Sequence, residues 1–464
     1  MCAQLHPTYM AELRLFRSSK GPHLFVTDGS RIYDIDDCAE RRIAELINNP
    51  PQDSGDIPKD RDLWDAIGVF CDSAMPRYID KESLSPPPLR SISLNVAQAC
   101  NMGCGYCYAD TGKFGGSARI MNEETARIAV DRLIAESSPK SDIVVGFMGG
   151  EPLLNRRVVH QTTRYAARVG REAGRRVRFS ITTNATTLQP EDAELFAQFP
   201  YTVTISIDGK REQHDEVRRM NDGSSSYSRL LQGLDIIARH GRPRHLSARV
   251  TVTPRTGDLL PILDHALSLG FDEVGFAAAL VSADPSLAFS ADDFQVFLER
   301  MVVCGRKALQ ELSAGRKYPF GNFETALEQI HRGSHRPYPC GAGAAYLSAN
   351  AEGKLYACHR LIDDPKFEMG SVRLGSNFEK RAEHLSRSHV DLIEPCRSCW
   401  ARYLCGGGCY HEVSRRGRLG CDYIRGWLEF CLYAYAELSS FRPNYFNEPR
   451  YVWEKVSNPT TISN

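Results

Sequence analysis

From Leu89 to about Ala279 the chain alternates between two periods. Short runs rich in β-branched residues, Ser91–Ala97, Ile143–Met148, Val177–Thr183, Tyr201–Ile207, Leu246–Val252 and Glu273–Ala278, read as strands. Between them, apolar residues recur at helical spacing over Glu123–Ser137, Val158–Glu172, Glu191–Phe199, Tyr227–His240 and Leu259–Leu269. Six such βα repeats predict an α/β fold with a parallel sheet and helices outside it. Six are too few for a closed eight-stranded barrel, so an open, partial (β/α)6 barrel is expected.

Upstream, His23–Ile35 reads as two apolar-rich strands around the Asp28-Gly29 turn, followed by a helical pattern from Asp37 through Ile43, Leu46 and Ile47 that stops at Asn49-Pro50-Pro51. Ser85-Pro86-Pro87-Pro88 reads as a stiff linker. Downstream, 281–339 is mostly helical, 340–435 is rich in cysteine, and 436–464 carries the prolines of a draped tail. The expected modules are therefore 1–85, 89–280, 281–339, 340–435 and 436–464.

Composition narrows the class. The 464 residues are 42% hydrophobic and 25% charged, as in a globular protein, and the net charge is zero. That balance gives no electrostatic footprint for nucleic acid or an anionic membrane. No apolar run reaches the roughly 18 residues of a transmembrane helix, and the first residues lack the basic-then-apolar order of a secretory signal. A cytoplasmic protein is expected. Of 15 cysteines, ten fall into two tight groups with ligand-like spacing, which a scattered disulfide framework would not produce.

The first group is Cys100-x3-Cys104-x2-Cys107, directly after the first barrel strand. Three thiolates on one loop suit three irons of a cubane and leave the fourth iron open; zinc is the competing reading, but no His lies in the loop. In β/α barrels chemistry gathers where strands end, and polar motifs follow the next three strands: Gly149-Gly150-Glu151-Pro152, Thr182-Thr183-Asn184 and Ser206-Ile207-Asp208-Gly209, with His214, Asp215 and Arg218 further on. The glycines permit close backbone approach to a ligand.

This ordered set resembles the radical S-adenosylmethionine (SAM) superfamily over Ser91 to Ala279. The resemblance implies that Cys100, Cys104 and Cys107 hold a catalytic [4Fe–4S] cluster whose open iron takes SAM. It implies that Tyr106 packs on the adenine and that Gly149, Gly150 and Glu151 meet the methionyl amino group. Ser206, Asp208 and Arg218 then hold ribose and carboxylate with Asn184 close by, and Arg219 competes with Arg218.

In the second group, Cys340 and Gly353-x4-Cys358 precede Cys396-x2-Cys399-x5-Cys405-x3-Cys409 and Cys421. This resembles the SPASM domain of peptide-modifying radical SAM enzymes. The likeness implies two auxiliary [4Fe–4S] clusters, one on Cys340, Cys358 and Cys409 with an open iron, the other on Cys396, Cys399, Cys405 and Cys421. Cys431 reads as a core thiol and a fallback ligand, and Cys2, Cys38, Cys71 and Cys304 as structural. Two zinc sites are the alternative.

Sulfatase-maturing enzymes of this class carry an Asp after the cysteine matching Cys358; here it is His359. The run Cys358-His359-Arg360 instead resembles thioether-forming maturases, among them the six-cysteine (SCIFF) peptide and quinohemoprotein amine dehydrogenase maturation families. The expected reaction is a Cys-to-Asp/Glu thioether crosslink in a peptide or small subunit. Formylglycine formation, epimerisation and C–C crosslinking are the alternatives. His359 and Asp422 are candidates for moving the thiol proton. A flavodoxin- or ferredoxin-type electron donor is the implied partner. Residues 1–85 resemble a PqqD-like module that recognises a leader peptide by strand addition near Phe25 and Ile32, or else simply cap the barrel.

Overall fold

The computed structural model describes residues 13–48 and 85–447. Cys2, Cys71, the prolines beyond Pro443 and most of the expected helices of the first module lie outside them. Strands β1 (Leu13–Ser18), β2 (Gly21–Val26) and β3 (Arg31–Asp34) form an antiparallel meander in that order, followed by helix α1 (Asp37–Asn48). The hairpin and helix match their sequence patterns; β1 is an additional strand.

Because β2 lies in the middle, Phe25 cannot sit at a docking edge. Its ring is fully buried and meets Trp400 edge-on at 5.8 Å. Ile32, on β3, does lie on an outer strand of the meander. The β1 side is tied to the C-terminal helix α13 (Cys421–Phe441) by an Arg14–Glu429 ion pair at 2.9 Å and by Ser19, whose backbone N–H donates to Glu437 at 2.6 Å.

The barrel strands are β4 (Ser91–Gln98), β7 (Asp142–Gly149), β8 (Arg176–Thr183), β9 (Tyr201–Ser206), β11 (His245–Val252) and β12 (Glu273–Ala278). They lie side by side in chain order, all parallel, and β12 does not return to β4. The open, six-stranded expectation therefore describes the wall. Two short strands, β5 (Met102–Cys104) and β10 (Arg218–Met220), pair antiparallel and set Arg218 opposite Cys104.

Along β11, Leu246, Ala248, Val250 and Val252 are buried under the helices, while the alternate residues face the lumen. The same alternation puts Ile143, Val145 and Phe147 outward on β7.

Strand β13 (Tyr346–Ala349), inside the cysteine-rich segment, pairs in parallel with β4, registering Ser348 with Ser93 and Ala349 with Leu94. Strands β14 (Lys354–Tyr356), β15 (Glu368–Ser371) and β16 (Gly375–Ser376) extend the same sheet antiparallel. Buried side chains close the seam: Ser93 Oγ donates to Ser348 Oγ at 2.7 Å and Asn95 Nδ2 to the same atom at 2.9 Å. Gln98 donates to Asp363 at 2.9 Å and accepts from the Ala351 backbone N–H, also at 2.9 Å. The cysteine-rich segment thus continues the barrel wall. Among the described residues, no helix is long and apolar enough to cross a membrane.

Candidate active site

The loop after β4 carries Cys100, Cys104 and Cys107. Burial, then the nearby Glu151 carboxylate, pushes the Cys100 thiol up to about 12. Burial likewise raises Cys104, against the pull of Arg218. Thiols held this high are protonated at neutral pH until a metal displaces the proton, so the donor set fits an iron–sulfur centre. Among the described residues no three His, Cys, Asp or Glu side chains converge on a point for a single ion. Thiolates on a cubane bind separate irons, so such convergence is not what a cluster requires.

The Gly149-Gly150-Glu151 loop is fitted against the cysteine loop. Gly149 has φ +144°, and a Cβ there would stand 2.2 Å from the Ala97 carbonyl oxygen; one on Gly150 would stand 2.3 Å from that of Ala99. The backbone N–H groups of Gly150 and Glu151 donate to those carbonyls at 2.8 and 2.9 Å. The glycines are thus required by the approach of one strand end to its neighbour, whatever ligand they also meet. Glu151 is fully buried, and its carboxylate accepts from the backbone N–H groups of Leu153 (3.0 Å) and Asn184 (2.7 Å) and from Thr183 Oγ1 (2.7 Å). In this arrangement its carboxylate joins two loops, its own and the end of β8. Asn184 Nδ2 lies 3.9 Å from Cys100 Sγ and donates to Asn101 at 3.0 Å.

Tyr106, Asp208 and Arg218 form one buried group. The Tyr106 hydroxyl donates to Asp208 and accepts from Arg218, and the Arg218–Asp208 pair stands at 3.6 Å. Asp208 also accepts from the backbone N–H of Thr251 at 2.7 Å. Burial raises the Asp208 carboxyl, opposed by Arg218 and these hydrogen bonds. The ring of Tyr106 packs in a small apolar cluster with Ala279 and Leu287. Arg219 points to solvent and donates to the Glu216 carbonyl at 3.2 Å, so Arg218 is the arginine that reaches the cysteine loop. Ser206, at the end of β9, is half-buried and registers with Arg249 of β11.

The other thiols influence one another in two groups. Cys340 and Cys409 each add a repulsive field at Cys358, which burial raises to about 12. Cys405, Cys421 and Cys399 act together on Cys396, which burial raises to about 11. Cys431 is fully buried in the middle of α13, with burial alone raising its thiol, and Cys304 is also buried. Cys38 is exposed.

His359 is half-buried beside Cys358, its Nδ1 at 3.8 Å from the sulfur and 3.0 Å from the Tyr346 hydroxyl. Burial, then Arg360, lowers it to about 3, so the imidazole is neutral. Asp422 does not join it. With 93% of its side chain exposed it pairs with Arg425 on the outside of α13, because the first turn of that helix turns this position to solvent.

Tyr108, Arg360, Glu412 and Arg249 complete the lumen face and were not singled out in the sequence as site residues. Arg360 lies 5.0 Å over the Tyr108 ring and 2.6 Å from Glu412. Tyr108 directly follows Cys107, and the Arg360 above its ring has its Nη1 4.0 Å from Cys409 Sγ, so the two side chains link the first cysteine loop to the cysteine-rich segment. The signal available for Tyr108 was its place directly after Cys107; for Arg249, a charged residue on an otherwise alternating strand.

Residues 94–259 match the family model of the Radical SAM superfamily. The chain is 25% identical over 362 residues to the serine-type anaerobic sulfatase-maturating enzyme of Klebsiella aerogenes, covering 74% of this chain and 85% of that one. It is 24% identical over 345 residues to the radical SAM cyclopropyl synthase TigE of Paramaledivibacter caminithermalis, covering 71% and 69%. The solved structure of native anSMEcpe with bound AdoMet shares the fold, with a TM-score of 0.64 at 20% identity over 77% of this chain and 100% of that one. The likeness to thioether maturases rests on sequence runs such as Cys358-His359-Arg360 and is not shown by these relatives.

Proposed function

We propose that the chain is a radical SAM enzyme that oxidatively modifies a side chain of a peptide or protein. The observation that carries this reading is the contact of Arg360 with both the Tyr108 ring, next to Cys107, and Cys409 Sγ, at 5.0 and 4.0 Å, which brings the two cysteine groups to one place. When bound, the clusters and SAM supply a 5′-deoxyadenosyl radical and an acceptor for the surplus electron. The chain's own residues hold the reacting groups and screen them. Arg218 and Asp208 offer a charged pair beside the cysteine loop. The imidazole of His359 is uncharged at working pH, with one ring nitrogen open to accept a proton, and stands beside Cys358.

Formylglycine formation from Cys or Ser is the first specific reading, because the similarity to sulfatase-maturating enzymes extends through the cysteine-rich part. Thioether formation between a substrate Cys and an Asp or Glu is the second, favoured by His359 in place of an Asp after Cys358. Docking of a leader peptide on β3 extends either reading, with 340–435 as an auxiliary-cluster domain.

The test is anaerobic incubation of iron-reconstituted enzyme with dithionite, SAM and Cys- or Ser-containing peptides taken from neighbouring reading frames. Formylglycine from Ser lowers the mass by two units and yields a hydrazine-reactive product, whereas a thioether lowers it equally but leaves no carbonyl. Failure to release 5′-deoxyadenosine would sink the proposal as a whole.

A further inference from the structure

Among the described residues, Arg249 is a lumen cation for which no ion-pair partner is found. Arg249 lies on β11, level with Ser206 of β9 on one side and Gly275 of β12 on the other. Residues level with one another on parallel strands point the same way, and the neighbours of Arg249 along β11, Ala248 and Val250, are buried in the outer layer. Arg249 therefore projects inward. Gly275 leaves it room: a Cβ there would meet Arg249 Nη1 only at 3.9 Å. Among the described residues the Arg249 guanidinium has no hydrogen-bond or ion-pair partner. It is open to the lumen, yet deep enough in the protein that burial, then Arg360, disfavours its charge, with Glu412, Glu273 and Cys409 acting the other way.

The neighbours of Arg249 separate its role from that of Arg218. Arg218 sits among Tyr106, Cys104 and Asp208, next to the first cysteine loop. Arg249 lies in the electrostatic field of Arg360, Glu412, Glu273 and Cys409, on the side of the cysteine-rich segment. Arg360 already has Glu412 at 2.6 Å. An unpaired guanidinium in a low-dielectric lumen gains from any anion placed beside it, and its planar fork matches a carboxylate.

We propose that Arg249 is a substrate-positioning residue that takes a carboxylate of the bound peptide, from an Asp or Glu side chain or from the C-terminus, and so selects acidic substrates. This assignment rests on the peptide-modifying reading above. The carboxylate of SAM is the competing source of the same chemistry, and the experiment separates the three.

Neutral-dye-labelled pentapeptide pools are titrated anaerobically, by fluorescence anisotropy, into reconstituted enzyme with SAM. One pool has a central Asp and an amidated C-terminus, one a central Asn and a free C-terminal acid, and one a central Asn and an amidated C-terminus. Wild type should bind one of the acidic pools at least about tenfold more tightly than the all-amide pool, the scale of one charge-assisted hydrogen-bonded pair. The preference should fall within twofold in R249Q and be largely restored in R249K, which keeps the charge and controls for folding.

SAM affinity, measured by equilibrium dialysis, should stay within twofold in R249Q. Wild type that does not distinguish the pools, including by binding none, would overturn the assignment. So would R249Q that keeps the preference, or R249Q that loses SAM affinity tenfold. Release of 5′-deoxyadenosine by wild type with dithionite is scored separately, so failure of the peptide-modifying reading is distinguishable from failure of this one.

Discussion

Glu151 accepts a hydrogen bond from the backbone N–H of Asn184 at 2.7 Å, joining the loop after the second barrel strand to the end of the third. Its other two partners, the backbone N–H of Leu153 and the Thr183 hydroxyl, are equally buried. Glu151→Ala leaves three donors without an acceptor, each costing about 1–3 kcal/mol where water cannot replace it. The variant should lose several degrees of melting temperature even without SAM. Glu151→Gln, which keeps one acceptor oxygen, should lose clearly less. Equal losses in calorimetry would show that the carboxylate geometry is immaterial.

Arg218 and Asp208 stand 3.6 Å apart with the Tyr106 hydroxyl between them. Removing one partner of a buried pair strands the other charge, at a cost of about 3–5 kcal/mol. Arg218→Met and Asp208→Asn should each destabilise strongly in urea titration. The double variant should cost much less than the sum. Additive losses would mean that the pair is not coupled.

The two cysteines of α13 should behave in opposite ways. Cys421 lies in the field of Cys396 and Cys405, whereas burial alone acts on Cys431. Cys421→Ala should lower the iron content of reconstituted protein by up to about four per chain, the content of one cubane. Cys431→Ala should keep its iron and lose only packing stability. Iron loss in Cys431→Ala would reverse the ligand assignment.

His214 is buried, and its Nδ1 accepts from the Asp208 backbone N–H at 3.2 Å, so the fold requires the neutral ring. Burial, then Arg218, lowers it to about 3. The unfolded chain takes up this proton near pH 6.5 and the folded one does not. Stability from this group is therefore complete above about pH 6.5 and is lost as pH falls toward 3, at up to about 1.4 kcal/mol per unit. His214→Asn should flatten that part of the curve between pH 6.5 and 5.5, measured by urea midpoints. An unchanged slope would remove His214 from the acid sensitivity.

The sequence disclosed the parts whose signals are local. Leu246, Ala248, Val250 and Val252 alternate with polar residues, and that period of two identifies β11 without reference to the rest of the chain. The cysteine spacings, likewise local, marked the thiols as candidate ligands, whereas their division into two sets came from the resemblance and not from spacing. Arg249 could not be recognised the same way, since on one strand a lumen-facing arginine is indistinguishable from a solvent-facing one. Only the curvature of six strands turns that face inward. The β4–β13 pairing joins Ser93 to Ser348, and parallel pairing over such a separation leaves no short-range trace. Phe25 looked like an edge residue because β1, which makes β2 central, has a weak alternating pattern of its own. Asp422 failed as a proton carrier for a rotational reason: one step around a helix separates a lumen-facing position from an exposed one.

Main-chain hydrogen bonds between β4 and β13 fasten the strand leading to Cys100 directly to the one leading toward Cys358. The spacing between those two cysteine sites is thereby built in as a fixed length of covalent and ladder geometry. Under the proposed function, side-chain replacements can alter the driving force or the medium for an electron crossing that gap. To alter its width, a residue must be inserted into or removed from one of the two strands.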